Sequence, residues 1–233
     1  MIRRTRAMPS SLPHLDAVPL FSCLNPAERA LLSPLCTVRP CARGEELFRE
    51  GEPARALFFV ILGRVKVVKA AHGRDVIVGI FGPGEPVGVL AAFEEKTFPA
   101  TAAALEPSTV LEVPAQEFFA LVDAHPEMTR RLLQGLIVRQ LEVTRRLADQ
   151  SGSVEYRAAR LFLTLAERAG TRAGEGAEIP IALTRQEIAD LCGTTVETAI
   201  RTMSRWGKEG LVLTRPDGFS IPDVGALRRL AAG

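Results

Sequence analysis

The sequence has little that would cross-link a chain or give it a dominant charge. It holds four cysteines, Cys23, Cys36, Cys41 and Cys192, and no two of them have the spacing of a zinc ribbon or a redox pair. A disulfide-dense secreted scaffold is therefore excluded, and a cytoplasmic protein with reduced thiols is expected. The formal net charge at pH 7 is only +2. Any contact with nucleic acid must come from a local basic patch and not from the overall charge.

Long hydrophobic runs are missing as well. The most apolar stretches, residues 56–62 and 76–81, are far shorter than the ~20 residues that a membrane-spanning helix needs. The amino-terminal MIRRTRAMPSS has arginines but no apolar run behind them, so we expect neither a signal peptide nor a membrane partner. With 47% hydrophobic and 24% charged residues, the 233-residue composition is that of a globular protein with one or two domains, not of a disordered or collagen-like chain.

Motifs of the common enzyme classes are not found either. The sequence has no Walker phosphate loop, no Gly-x-Ser-x-Gly nucleophile elbow and no His pair at metal-ligand spacing. We therefore do not expect an enzyme, and we expect no metal site built from a local motif.

Residues 37–113 have the pattern of an antiparallel β structure. Short runs rich in β-branched and aromatic residues alternate with glycine turns, which predicts a β-sandwich or barrel. The predicted strands are residues 46–49, 56–62, 64–69, 75–81, 101–104 and 109–113, with a hairpin tip at the HGRD of residues 72–75. Before them, residues 1–20 are predicted to be a loose arm, and Asn25 and Pro26 are predicted to start a short helix.

Helical patterns follow this region. Pro114 starts one helix, and Pro126 starts a longer one that is predicted to run to about Asp149. Its apolar residues recur at spacings of three and four: Leu132, Leu133, Leu136, Ile137, Leu141, Val143 and Leu147. Such a stripe is typical of a helix packed on its own domain and equally of a parallel coiled-coil dimer, so both interpretations stay open from the spacing alone.

Residues 184–207 have the pattern of a helix-turn-helix. A domain break is predicted at residues 151–153, followed by a helix at residues 154–168, a flexible loop at 170–176 and a short strand at 179–183. Thr184 and Glu187 then form a capping box before a helix over Arg185–Cys192. Gly193 permits a tight turn, and Thr194 or Thr195 caps a second helix.

The second of these helices has side chains of the types that can pair with DNA bases. An arginine such as Arg201 can pair bidentately with guanine, and a glutamate such as Glu197 can accept a hydrogen bond from cytosine N4. The following KEGLVLTRPDGFSIPD alternates around a Pro-Asp-Gly turn, which predicts a β-hairpin and hence a winged helix. Packed helices with a solvated arginine face are the alternative, but cap, glycine turn, charged helix and wing together favour DNA binding.

With these motifs, the chain resembles the CRP/FNR superfamily of bacterial transcription regulators over nearly its whole length. The resemblance lies in GEELFREGEPARALFFVILGRVKVVK, FGPGEPVG, the long helix and LTRQEIADLCGTTVETAIRTMSRWGKEGLV. It implies an α+β architecture: a jelly-roll sensor domain at residues 1–125, a dimerisation helix and hinge at 126–151, and a winged helix-turn-helix at 152–233. It also favours the coiled-coil interpretation of the long helix, with contacts by Leu132, Leu133, Leu136, Ile137, Val143 and Leu147.

The resemblance further implies a homodimer that binds a palindromic operator in double-stranded DNA, and a contact with RNA polymerase if the protein is an activator. Glu197 and Arg201 match the family's base-reading pair, whereas Val196 and Ile200 stand where many members have Arg and Ser. The residues predicted to contact the DNA backbone or groove are Thr184, Arg185, Thr194, Thr195, Thr198, Arg205, Lys208 and Arg215. The alternative function is a ligand-binding module that acts on a protein partner without DNA.

The signal is expected to act at a predicted effector pocket, formed by Gly88, Val89, Leu90, Pro99, Ala100 and Thr101. Members that bind cyclic nucleotides carry a Glu, an Arg and a Ser where this chain has Val89, Pro99 and Ala100. A buried phosphate without its cation is costly, so this pattern argues against cAMP or cGMP.

The remaining residues bear on the other cofactors that the resembled family uses. The cysteines lack the tight cluster of iron–sulfur members, which argues against an iron–sulfur centre. Cys36 and Cys41 are a thiol switch or, more simply, reduced strand cysteines. Haem-based sensing of a gas, nitric oxide or CO, is the alternative signal, with His14 of the amino-terminal arm as the candidate ligand. FPATA resembles a stretch of nitric-oxide-responsive members.

Overall fold

The computed structural model describes residues 12–71 and 74–232, and its chain divides into two compact units. The first unit contains residues up to 70 and residues 78–137, and the second contains residues 71–77 and residues 138 onward. Within the described ranges, no helix is long and apolar enough to cross a membrane.

The first unit is built on two four-stranded antiparallel sheets, apart from strand residues 71 and 74–77, which are grouped with the second unit. The strands are β1 (Thr37–Cys41), β2 (Glu46–Phe48), β3 (Ala56–Leu62), β4 (Val65–Ala71), β5 (Arg74–Phe81), β6 (Pro86–Val87), β7 (Thr101–Ala104) and β8 (Ser108–Pro114). They are ordered β1-β8-β3-β6 in one sheet and β2-β7-β4-β5 in the other. This double-sheet arrangement is a jelly roll, which confirms the predicted fold class.

Strand β1 was not among the predicted strands because its sequence, TVRPC, contains a proline. It lies at the edge of its sheet and pairs only with β8, and a proline is tolerated at an edge because half of the backbone donors there need no partner. The predicted hairpin tip includes His72, which lies outside the described residues.

The prediction of a loose arm at residues 1–20 is wrong for its described part. Helix α1 (Leu12–Asp16) and a short 3-10 helix (Pro19–Cys23) pack onto the jelly roll, and Leu15, Val18 and Phe21 are buried. The reason is their spacing of three residues, which places all three side chains on one side. The Phe21 ring lies 5.0 Å from that of Phe59, centroid to centroid, and is part of the main core.

Four more helices begin in the first unit. They are α2 (Pro26–Leu32), α3 (Val89–Phe93), α4 (Ala115–Ala124) and α5 (Pro126–Asp149). The Asn25 cap and the start of α2 at Pro26 confirm the sequence prediction, as does the 24-residue extent of α5. Helix α3 was not predicted. It begins after Gly88, whose φ of +87° is readily adopted only by glycine.

The second unit is a winged helix-turn-helix. It contains α6 (Val154–Ala169), β9 (Thr171–Ala173), β10 (Gly176–Ile179), α7 (Arg185–Cys192), α8 (Val196–Glu209), β11 (Leu213–Arg215), β12 (Gly218–Ile221) and α9 (Val224–Leu230). The β11–β12 hairpin is the predicted wing. The core of the second unit is aromatic: the ring centroid of Phe162 lies 4.9 Å from that of Phe219 and 6.3 Å from that of Trp206.

The predicted flexible loop at residues 170–176 is instead part of a hairpin. Strands β9 and β10 pair through Ala177 and Arg172, with a turn at Gly174, whose φ is +62°. Strand β10 also pairs with β12, so the wing becomes a four-stranded sheet ordered β11-β12-β10-β9. The predicted strand at 179–183 is therefore shifted toward the amino terminus. The sequence predicted a loop because β9 is exposed along its whole length and has no buried face to produce an alternating pattern.

Candidate nucleic-acid interface

The turn between α7 and α8 has the local structure that the sequence predicts. The Thr184 backbone N–H donates to Glu187 Oε2 at 2.8 Å, and the Glu187 N–H donates back to Thr184 Oγ1 at 3.1 Å. Gly193 ends α7 with φ +59°, and the Thr194 N–H donates to the Ala189 carbonyl at 2.9 Å. Both ends of α7 are therefore closed by specific hydrogen bonds.

Helix α8 has one buried and one exposed face. Thr195, and not Thr194, is its cap, since Thr195 Oγ1 accepts from the Thr198 N–H at 3.3 Å. The inner face consists of the buried residues Ala199, Thr202, Met203 and Trp206. Glu197, Arg201 and Lys208 lie exposed on the opposite side, at spacings of four and seven, as one polar row.

The first turn of α8 keeps the Glu197 carboxylate of this row ionised. The pKa of Glu197 is lowered by its own backbone N–H, by the Thr195 hydroxyl and by the Arg201 guanidinium, so Glu197 is an ionised acceptor at neutral pH. Arg201 Nη2 donates to Thr198 Oγ1 at 3.1 Å, which orients the guanidinium along the helix. The row therefore presents one hydrogen-bond acceptor and a cationic donor side by side.

Two of the predicted backbone-contacting arginines have partners within the domain. Arg205 forms an ion pair with Glu155 of α6, which raises the pKa of Arg205. Arg185 Nη2 donates to Thr214 Oγ1 of the wing at 2.8 Å. Both residues therefore tie elements of the domain to one another. Lys208 and Arg215 lie exposed, and so do the capping residues Thr184 and Thr195.

Arg157 on α6 supports the turn, and the sequence did not point to it. Its Nε donates to the Cys192 carbonyl at 2.6 Å, and its Nη1 donates to the Gly152 carbonyl at 2.6 Å. It thereby satisfies a carbonyl at the carboxyl end of α7, where helices leave acceptors free. No pattern in the sequence indicates this role. The Cys192 carbonyl lies 35 residues further along the chain, and the Gly152 carbonyl belongs to the irregular segment before α6.

The long helix α5 has different surroundings along its length. Met128 is buried and Leu132 packs partly against the jelly-roll core, so Leu132 of the predicted dimer set has partners within its own chain. Leu136 is half-buried. The large hydrophobic residues that lie exposed are Leu133, Ile137, Val138, Leu141, Val143 and Leu147. The interpretation of a helix packed on its own domain therefore applies to the first part of the stripe, whereas the rest of the stripe lies exposed and its dimer interpretation stays a prediction. Val138 is an exposed residue that the prediction did not include.

The residues of the predicted effector pocket do not share one environment. Val89 and Ala100 are buried in the jelly roll, whereas Pro99 is exposed and Leu90 is 66% exposed. Gly88 lies against Phe98, since a Cβ on Gly88 would come within 2.8 Å of the ring. Thr101 Oγ1 accepts from the Glu50 N–H at 3.1 Å.

Aromatic rings fill the space beside Gly88. Phe48 and Phe98 stack with centroids 3.6 Å apart, and Phe58 lies 5.5 Å from Phe48. The nearby cation, Lys69, pairs with Glu50 and donates to the Pro99 carbonyl at 2.7 Å. This environment suits an apolar group better than a phosphate.

Comparison with known proteins agrees with both units. Residues 38–125 match the family described as cyclic nucleotide-binding domain, and residues 156–230 match the Crp-like helix-turn-helix domain. The transcriptional activator protein Anr of Pseudomonas aeruginosa is 30% identical over 198 residues, which are 84% of this chain and 80% of that protein. The chain belongs to the CRP/FNR family of transcription regulators.

Other members of the CRP/FNR family match a larger share of this chain. A CRP-like cAMP-activated global transcriptional regulator of Mycobacterium tuberculosis is 28% identical over 91% of this chain and 96% of its own. The solved structure of FixK2 from Bradyrhizobium japonicum has the same fold, with a TM-score of 0.74 at 20% identity, covering 85% of this chain and 98% of FixK2. The Pseudomonas and Mycobacterium relatives are regulators of transcription by name.

The cysteines of this CRP/FNR chain are buried or half-buried free thiols. Burial raises the pKa of Cys36 to about 12 and also raises that of Cys41. Burial likewise raises the pKa of Cys192 to about 12. At neutral pH these three thiols are protonated, and a protonated thiol is a poor nucleophile and metal ligand. In the described part of the chain, no three His, Cys, Asp or Glu side chains are grouped to hold a metal ion.

We predict that Glu187→Ala destabilises the second unit by about 1–2 kcal/mol, because it removes a capping box and leaves the donors at Thr184 without an acceptor. Glu187 is only 6% exposed, so water cannot fully replace it. Thermal or urea unfolding measures the change. The neighbouring Gln186→Ala, at an exposed position, is the control and should change stability little. Equal stabilities of the two variants would contradict the structural role of this cap.

Proposed function

We propose that this CRP/FNR regulator is a homodimer that binds an inverted repeat in DNA and responds to a signal received by its jelly-roll domain. The observation that carries the proposal is the exposed row of Glu197, Arg201 and Lys208 on α8. A helix of this kind, fixed at its start by a capped turn, fits the major groove of B-DNA. We propose that Arg201 contacts the edge of a guanine and that Glu197 accepts a hydrogen bond from a cytosine.

The exposed stripe of α5 supports a homodimer. Leu133, Ile137 and Leu147 lie within about 80° of one another around the helix. Leu141 and Val143 flank them, one on each side. Exposed leucine and isoleucine in such a row are costly in water and are covered when two α5 helices pack side by side. A two-fold dimer presents two α8 helices to DNA, which is why the operator should be an inverted repeat with half-sites ~34 Å apart.

Each region of the chain has its own role in this proposal. We propose residues 1–125 as the sensor, residues 126–151 as the dimerisation helix and hinge, and residues 152–233 as the DNA-binding domain. The residues proposed to contact the DNA backbone or groove are Thr184, Arg185, Thr194, Thr195, Thr198, Arg205, Lys208 and Arg215. As an activator, the protein would also contact RNA polymerase.

Binding to labelled genomic fragments in a gel shift tests the proposed function against the alternative of a module that acts on a protein partner. A subset of fragments should be retained in excess non-specific DNA. If all fragments bind equally weakly, or none bind, the proposal of sequence-specific DNA binding is wrong.

We predict that cAMP neither binds with micromolar affinity nor changes the affinity for DNA. The mycobacterial relative is cAMP-activated by name, but this chain has Val89, Pro99 and Ala100 where cyclic-nucleotide binders carry charged and hydroxyl side chains. The stacked Phe48 and Phe98 add an apolar environment in which an unpaired phosphate is costly. Isothermal calorimetry measures the binding. A micromolar dissociation constant, or a clear shift in DNA affinity with cAMP, would contradict this prediction.

We propose haem-based gas sensing as the alternative way in which the protein receives its signal, because of one observation. His14 lies on α1, its Nδ1 is enclosed by protein, and that atom has no hydrogen-bond partner in the described part of the chain. An imidazole of this kind can serve as an axial ligand to iron. The absorption spectrum of freshly purified protein decides: a Soret band lost in His14→Ala supports the candidate, and a spectrum without one rejects it.

A further inference from the structure

One exposed hydrophobic side chain of the DNA-binding domain lies among the charged residues of α8. Of residues 152–232, all of which the structure describes, Ile200 is the one large hydrophobic side chain that lies exposed, at 45%. A single exposed isoleucine is ordinary on a protein surface. Its position is what distinguishes it, because it comes directly before Arg201 and three residues after Glu197.

Helix geometry places Ile200 beside the proposed base contacts. At 100° per residue, Ile200 lies about 60° around the helix from Glu197, on the side away from Arg201. Residues three apart on a helix have Cβ atoms about 5–6 Å from each other. Successive base pairs rise by about 3.4 Å. When Glu197 contacts a base edge, Ile200 therefore lies within about two base pairs of it.

The chemistry of the groove limits what Ile200 can contact. Its side chain has no donor or acceptor, and the C5-methyl group of thymine is the apolar group that the major groove presents. A polar base edge covered by isoleucine would lose water without gaining a hydrogen bond, which disfavours guanine, cytosine and adenine at that position. Ile200 can therefore select thymine by attraction and exclude other bases by desolvation.

We propose that Ile200 is a specificity-determining residue that contacts the C5-methyl group of a thymine within about two base pairs of the pair contacted by Glu197, in each half-site. This inference rests on the proposed function. It assigns a base preference to a residue that departs from the family pattern.

Replacing thymine by deoxyuridine tests the contact directly, because it removes only the methyl group and keeps the base pairing. The operator is first obtained by selection from random DNA with the full-length protein. Symmetric thymines near the Glu197 contact are then replaced, one pair at a time, and dissociation constants are measured by fluorescence anisotropy. For wild type we expect about a four-fold loss per half-site, the value for one buried methyl group, and about 15-fold for both.

The Ile200→Ala variant should bind the thymine operator about as weakly as wild type binds the deoxyuridine operator. Its own loss on replacement of thymine should be less than two-fold. Ser204→Ala, at another exposed position of α8, is the control and should keep the full wild-type ratio. Because each ratio compares two DNAs with one protein preparation, a partly unfolded variant does not distort it.

Three results would overturn the inference while the proposed function stands: a selected half-site without thymine in this window, no deoxyuridine effect in wild type, or an undiminished effect in Ile200→Ala. Failure to select any preferred sequence would instead overturn the proposed function itself, and the inference with it.

Discussion

Replacing Arg201 with alanine is expected to cost about 1–3 kcal/mol per half-site, a loss of about 5- to 150-fold at each. The reason is that a bidentate guanidinium–guanine contact is lost and the acceptors of the guanine are left without a partner. Arg201 lies exposed on α8, where no core contact depends on it, so the fold should be unaffected. Discrimination among the four bases at that position should be lost as the affinity falls.

The measurement is anisotropy with the operator and its three single-base replacements at the guanine. Arg201→Lys keeps the charge but not the planar fork, and should lose most of the discrimination while keeping more affinity. Lys208→Ala is the control, and we expect it to weaken all four DNAs alike and to lower the salt slope by about one unit. If Arg201→Ala preserves the wild-type order of the four DNAs, Arg201 forms only an intrahelical pair with Glu197, worth a few tenths of a kcal/mol.

Replacing Ile137 with glutamate is expected to convert the dimer to a monomer. Each subunit would place a carboxylate in the proposed interface between the two α5 helices, where burial of a charge without a partner is costly. Loss of the second DNA-binding domain should reduce operator affinity by about 10²–10⁴-fold, the gain that a linked second contact provides. Light scattering measures the mass, and anisotropy measures the affinity.

The adjacent residue provides a matched control. Val138 is as exposed as Ile137, each at 58%, but it lies 100° away around the helix and outside the Leu133, Ile137 and Leu141 row. Val138→Glu should therefore remain a dimer with unchanged operator affinity. If Val138→Glu dissociates while Ile137→Glu does not, the seam lies on another side of α5.

The parts of this structure that the sequence predicts best are those decided by neighbouring residues. Thr184 and Glu187 lie three apart, so their capping box can be recognised without any tertiary information, and the same holds for Asn25 and Pro26. Gly193 at the turn needs only its own backbone conformation. The wing was predicted from alternation and a Pro-Asp-Gly turn, both local features.

The parts that the sequence did not predict depend on distant partners. The prediction of a loose arm was wrong because Leu15 and Val18 become buried only when the jelly roll is present. Strand β9 has no buried face of its own and forms by pairing with β10. The role of Arg157 depends on carbonyls at Gly152 and Cys192 that come together only in the folded domain. Periodicity likewise could not separate the core-facing Leu132 from the exposed Leu133.

Selection of binding sites from random DNA by the full-length wild-type protein tests the central claim most directly. The account predicts an inverted repeat whose half-sites are separated by about one helical turn, with a guanine and a nearby thymine in each half, bound by two chains. Enrichment of no sequence, or of a single unrepeated site bound by one chain, would contradict a homodimer that reads DNA through α8.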